Sequence, residues 1–334
     1  VVDRREGRPP CERHDRVRRE ERALILFDEA PAIDLLATAG RATTLAAIVV
    51  AMGSVSFRWG VLRRMRGAQH DRSAGWSAAA ARAGLWASAI LLLDAPVRLY
   101  AQARGLVQPG DPVAPMMMNV LRTVWGRGLL VQIIASVVAL VGFLVVHRGR
   151  ARGWDMAVVG CIVLALSPAL MGHAIAAEHY LALSLIADWF HVVAAASWLG
   201  GVTMLALPAR AAASGGDDRD AFATAIELFH PVALAASATL VATGVVSLLL
   251  RVEHLADLLH SLYGALLAIK LLLTVAVIAV GYRHATRGAA IVRAQGTSAL
   301  SRTLAGELLF AVLVIATTAA LVGTSPPMSM TMDM

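Results

Sequence analysis

The sequence predicts an all-α integral membrane protein, a bundle of about eight transmembrane helices, and three observations carry that expectation. Of the 334 residues, 58% are hydrophobic and only 16% charged, whereas a water-soluble domain is about a quarter charged. The mean hydropathy is +0.66. The apolar residues are blocked into runs of about twenty that alternate with short arginine-rich stretches. Such a run crosses a ~30 Å hydrocarbon core as a helix, because a helix satisfies its own backbone hydrogen bonds where water cannot. A cytosolic enzyme, a β-sandwich and a disordered tail are all excluded.

Residues 1–36 stand apart from this pattern. The stretch VVDRREGRPPCERHDRVRREER is charged, and the apolar run behind it is interrupted by Asp28, Glu29, Pro31 and Asp34. That is not the form of a cleavable signal peptide, so the segment is expected to be disordered or interfacial. Its start at Val1 points to a fragment or an alternative start, and hence to a segment that is not native.

The transmembrane domain is expected over 37–327. Its first run, 41–58, gives way to Arg63, Arg64, Arg66 and Arg72 before the second, 79–99. The third, 125–147, ends on Arg148, Arg150 and Arg152, and the fourth and fifth follow at 155–175 and 185–207. Arg210 and Arg219 precede the sixth, 231–251. Between the seventh, 262–282, and the eighth, 303–323, lie Arg283, Arg287, Arg293 and Arg302. The alternate loops are poorer. Arg104 and Arg122 lie between the second and third runs, with Arg98 and Arg127 at the edges, and only Arg251 borders the loop after the sixth. The loop between the fourth and fifth has no basic residue. Basic loops stay in the cytoplasm, which places both termini outside and makes 328–334 a Met-rich periplasmic tail. The basic N-terminal segment runs against this assignment.

The net charge of +7 would suit nucleic acid, but all but one of the 30 basic residues are arginines, mostly at helix flanks. Topology accounts for them, and no nucleic-acid partner is expected. Cys11 and Cys161 form no CxxC, so neither a disulfide framework nor a thiolate metal centre is expected.

Orientation sorts the metal-capable residues. The outer side receives Met171 and His173 at the end of the fourth span, His179 in the following loop, and His191 early in the fifth. His254 and His260 lie in the outer loop after the sixth span, Met116, Met117 and Met118 in the one after the second, and Met328, Met330, Met332 and Met334 in the tail. The inner side keeps His70, His147, His230 and His284, three of them close to an arginine, where a phosphate-facing or solvated role is expected. Imidazole with thioether suits copper, and thioether favours Cu(I). In PPMSMTMDM every second residue is Met, so an extended chain would present four sulfurs on one side.

His173 and His191 fall within the outer parts of consecutive spans, where polar groups face a bundle interior or a cavity. Asp188 lies three residues before His191 and Trp198 seven after it, all on one helical face. Asp188 is therefore expected to orient the His191 imidazole, as carboxylates do behind metal ligands. Asp94 and Lys270 lie inside the second and seventh spans, where they either pair with each other or line a permeation path. Glu307 is expected to meet loop arginines, and Gly200, Gly201 and Gly244 to allow close helix packing.

Five segments resemble the copper-resistance D (CopD) family of bacterial inner-membrane proteins. They are SPALMGHA at 167–174 with His179 after it, DWFHVVAAASWLGGV at 188–202, FHPVALAASATLVATGVV at 229–246, LYGALLAIKLLL at 262–273, and ELLFAVLVIATTAALVGTSPP at 307–327. They are similar to the family's GHA turn, its H-x6-W-L-G-G helix, its Thr-Gly helix, its Tyr-Gly…Lys helix and its terminal Pro-Pro. The likeness is confined to a core of 167–327 with an eight-helix plan from about 40. His230 departs from the pattern, standing where a small polar residue is expected. The resemblance implies copper transport or tolerance at the inner membrane, a periplasmic CopC-like copper-binding partner, and functional roles for His173, His179, His191 and Lys270.

The leading expectation is thus a copper permease rather than an enzyme, with no catalytic residue. No G-x4-G-K-[ST] is present, which argues against a pump driven by its own ATP hydrolysis. Two other readings stand beside it. Haem could be held between His173 and His191 for electron transfer, although matched inner histidines within spans are lacking. A scaffold could receive copper from a periplasmic chaperone without conducting it.

Overall fold

A computed structural model describes residues 34–66, 68–172, 180–213, 218–252, 255–259, 261–295 and 298–324. Among these residues the chain is helical, with no strand. The helices are α1 (Leu35–Gly60), α2 (Ala68–Arg104), α3 (Val113–Leu121), α4 (Val124–His147), α5 (Gly153–Leu164) and α6 (Ser167–Met171). They continue with α7 (Leu181–Ala213), α8 (Asp218–Arg251), α9 (Leu255–Leu258), α10 (Leu262–Gln295) and α11 (Ser298–Leu321). Seven stretches are long and apolar enough to cross a membrane, and they correspond to the first seven predicted spans. The eighth prediction falls on α11, whose apolar part, Gly306–Leu321, is shorter.

The bundle is arranged around α1, which packs against α2, α5, α7 and α11. Over its apolar stretch 56% of the residues are buried, against 6% for α8 and 11% for α10. A helix apolar all round is stable in the middle of a bundle, whereas α8 and α10 turn most of their surface outward, which suits lipid.

Close approach of α1 to α7 depends on two glycines. A β-carbon at Gly53 would collide with the backbone of Gly200, and one at Gly200 with Val49 and Gly53. Small residues that let backbones touch are a main source of helix association in membranes. Gly201 gives the same clearance to the Phe229 ring of α8, as expected of a packing residue, whereas Gly244 has only the His191 imidazole near it, at 3.8 Å.

The fourth predicted span is a broken helix. Pro168 cannot donate a backbone hydrogen bond, and α5 ends at Leu164 before α6 restarts around the proline. At the break the Leu166 amide turns to the Val163 carbonyl at 3.1 Å, in the tighter i−3 pattern. The Ile162 carbonyl, which would have received it in an unbroken helix, instead accepts the Trp189 indole N–H from α7 at 2.9 Å. Broken helices are tolerated at membrane depth where the freed backbone groups find partners or line a cavity. Here both occur: Pro168, Ala169, Met171 and Gly172 line the cavity described next. Met116, Met117 and Met118 lie on the short helix α3, with Met118 exposed.

Candidate functional site

One end of the bundle holds a cavity of about 380 Å³. Its walls come from the start of α1, the end of α2, the start of α4, α6, the first turns of α7, the end of α8, the first half of α10 and the end of α11. Alternating helix ends therefore converge, and they are the ends predicted to face outward. Met171, Asp188, His191, Arg251 and Lys270 line it, together with Arg41, Arg98 and Trp125.

Among the described residues, His191 is the imidazole that lines this cavity. Its Nδ1 lies 3.0 Å from the Thr243 hydroxyl on α8. That hydroxyl already donates to the Thr239 carbonyl at 2.7 Å, so its oxygen is left to accept. Nδ1 must then carry the proton, and in the neutral ring Nε2 holds the lone pair. This is the tautomer a metal ligand uses when its other nitrogen is held by a hydrogen-bonding partner.

The expected carboxylate–imidazole pair is not what holds His191. Asp188 shares the face of α7 with it, but its carboxylate is engaged by the Arg251 guanidinium and by the Ser247 hydroxyl at 3.1 Å. A guanidinium one helix away offers charge and several donors, and it takes the carboxylate in preference to an imidazole on the same helix. Thr243 does the orienting instead. Trp198, two turns further along α7, is buried in the core beside Gly281 and does not line the cavity.

Asp94 and Lys270 do not pair either. The Thr44 hydroxyl donates to Asp94 at 2.6 Å, and Arg98, one turn along α2, acts on the same carboxylate. Arg98 in turn donates to Gln132 on α4 at 3.0 Å and to Thr44 at 3.3 Å, with its guanidinium over the Trp125 ring at 5.7 Å. This network ties α1, α2 and α4 together at the cavity wall. Lys270 reaches the cavity from α10, where the charges acting on it are those of Arg251 and Asp188. Among the described residues it makes no hydrogen bond and no ion pair.

At the opposite end, Glu307 departs from its expected arginine partner. Its Oε1 lies 2.8 Å from Nδ1 of His284, on α10, and both side chains are largely buried. His284 is therefore neither solvated nor phosphate-facing, because Gly281, one turn before it, opens space against Glu307 and Trp198.

His173, His179, His254, His260, Met328, Met330, Met332 and Met334 lie outside the described residues. Among the described residues no three His, Cys, Asp or Glu side chains gather as a metal cage. Residue patterns missed Arg98, Gln132 and Thr243. The available signal was polarity inside apolar runs, since Gln132 and Thr243 both interrupt otherwise apolar spans.

Two comparisons with known proteins bear on this arrangement. Residues 223–321 match the family described as copper resistance protein D (CopD). That stretch covers most of α8 and all of α9, α10 and α11, and so includes Thr243, Arg251 and Lys270 but not Asp188 or His191. The chain is also similar to "Copper transport protein CutJ" of Bacillus subtilis (strain 168), 26% identical over 245 residues, which is 71% of this chain and 44% of the relative. It therefore spans less than half the length of that curated protein. No solved structure matches. The chain is thus similar to the copper resistance protein D family over its C-terminal helices, and to a copper transport protein over most of its length.

Proposed function

We propose that this protein handles copper at the bacterial inner membrane and carries it across the bilayer, contributing to copper homeostasis or resistance. The observation that carries the reading is the state of His191: Nδ1 is committed to Thr243, and Nε2 is left with a lone pair beside a cavity inside the bundle. Met171 also lines the cavity, and imidazole with thioether is a soft set suited to Cu(I). The family match over 223–321 and the name of the relative support copper as the cargo.

In this reading His173, His179, His254, His260 and the tail residues Met328, Met330, Met332 and Met334 collect the ion on the periplasmic side. A CopC-like copper-binding protein delivers it there. His191 receives it, and the polar groups around Asp94 and Lys270 border the path inward. Several weak ligands suit conduction better than one tight cage, because the ion must also leave. No chemical conversion is involved, so the protein is a transporter and not an enzyme.

The test is copper uptake by liposomes containing the purified protein, wild type beside His191→Ala. Loss of copper flux in a variant that inserts and melts like wild type is the expected result. Flux equal to wild type in that variant removes His191 from the path. Absence of flux from the wild-type protein itself favours copper delivery without conduction.

A further inference from the structure

The cavity is more basic than a copper path requires. Arg98, Arg251 and Lys270 all line it, and free copper ions carry the same sign of charge. Among the described residues, Asp188 on the cavity wall is already engaged by Arg251 and Ser247, and nearby Asp94 by Thr44, with Arg98 acting on it. Lys270, the only lysine in the chain, is left without a hydrogen bond or ion pair among the described residues. It lies on α10 about two turns from the helix start at Leu262, inside an apolar run. Cations at membrane depth are paired or face a water-filled cavity that admits a counter-ion.

We propose that this cavity binds an oxyanion of the phosphate class, either free or carried on a lipid headgroup, with Lys270 as its central contact and Arg98 and Arg251 flanking it. The inference goes beyond the copper reading and does not need copper to pass. Three features favour phosphate over a halide. A guanidinium presents N–H donors in a planar fork that matches two oxygens of an oxyanion, and an ammonium adds a point charge. Arg98 is held over Trp125 and by Gln132, which fixes its plane before any ligand arrives. Hydrogen phosphate also carries a hydroxyl that His191 Nε2 can accept, whereas a bare halide would face that lone pair with nothing to donate.

The test uses the full chain in nanodiscs of phosphatidylcholine, with copper removed by a chelator, and measures binding of radiolabelled inorganic phosphate against chloride at matched ionic strength. Saturable phosphate binding is expected. Lys270→Met should weaken it by roughly tenfold or more, and Lys270→Arg, which keeps the charge, by no more than about threefold. Arg64→Gln, at the exposed end of the turn Leu62–Arg64, is the control and should leave it unchanged. A parallel arm prepares the protein with phosphatidylglycerol and counts retained lipid by native mass spectrometry. Lipid retention lost only in Lys270→Met, without free phosphate binding, identifies a headgroup as the source. The proposal is overturned if neither ligand depends on Lys270, or if Arg64→Gln matches Lys270→Met, which would mean general surface charge. Because copper is absent throughout, either result leaves the liposome test of copper flux to be decided separately.

Discussion

His191 on α7 and Thr243 on α8 are joined by one hydrogen bond of 3.0 Å, and the direction of that bond sets which imidazole nitrogen can hold a ligand. The direction is fixed from behind, because the Thr243 proton goes to the Thr239 carbonyl. A threonine one turn past a helical carbonyl is thus turned from a mere helix residue into the positioning group of a cavity histidine.

Thr243→Val should leave the fold intact and release the ring. Valine has nearly the same shape but no oxygen to accept from Nδ1, so both tautomers and other rotamers become available. Loss of such a supporting partner typically lowers metal affinity or activity by about 10–100-fold, and copper flux in liposomes should fall within that range. Thr243→Ser restores the acceptor and should recover most of the flux. If the valine and serine variants behave alike, the hydroxyl does not position the ring.

Asp188 and Arg251 should behave as a unit. Either partner alone would be left as an uncompensated charge at membrane depth, and about a fifth of each side chain remains accessible. Asp188→Asn or Arg251→Leu should each cost roughly 1–3 kcal/mol in detergent unfolding, below the value for a fully buried pair. The double variant should be more stable than the sum of the two losses predicts. Additive losses would show that the two groups act independently.

Gly200→Ala should fail where Gly75→Ala does not. The added methyl at 200 meets the backbone of α1 at Val49 and Gly53, which has no rotamer to change, so α1 and α7 must separate. Overpacking of this kind costs about 1–3 kcal/mol, and it should show as a lowered melting temperature of the purified protein. At Gly75 nothing lies within 4 Å of the added carbon, and the melting temperature should hold or rise.

The spans were legible because each is an apolar run of helical length between arginines, and burial in lipid needs little more than that. The break inside the fourth span was signalled by Pro168 but hidden by the apolar residues on either side of it. Placing Asp188 and His191 on one face followed from a three-residue spacing, and the structure has both lining the cavity. Their partners did not follow. Thr243 and Arg251 lie 52 and 63 residues away from them, and which turns of two helices meet depends on packing that a helical period does not contain. The same holds for Asp94 and Lys270: both are polar groups in apolar runs, yet α1 and α2 close around the first while α7 and α8 supply the charges that act on the second.

The orientation of the whole arrangement can be tested with two cysteines. The cavity lies at the end of the bundle that also carries the α2–α3 loop, while Arg148, Arg150 and Arg152 follow the other end of α4. In a Cys11→Ser background, Cys161 is fully buried in α5 and should not react, so an introduced thiol reports alone. Gln108→Cys should be labelled in whole cells by a maleimide that cannot cross the inner membrane, and Arg150→Cys only after lysis. This follows from retention of guanidinium-rich loops in the cytoplasm. The reverse pattern would turn the His191 cavity toward the cell interior, and a soft-donor surface gathering copper from outside would then have to be abandoned. The cavity's basic groups would remain where they are, so the phosphate-class site would survive that result as a site filled from the cytoplasm.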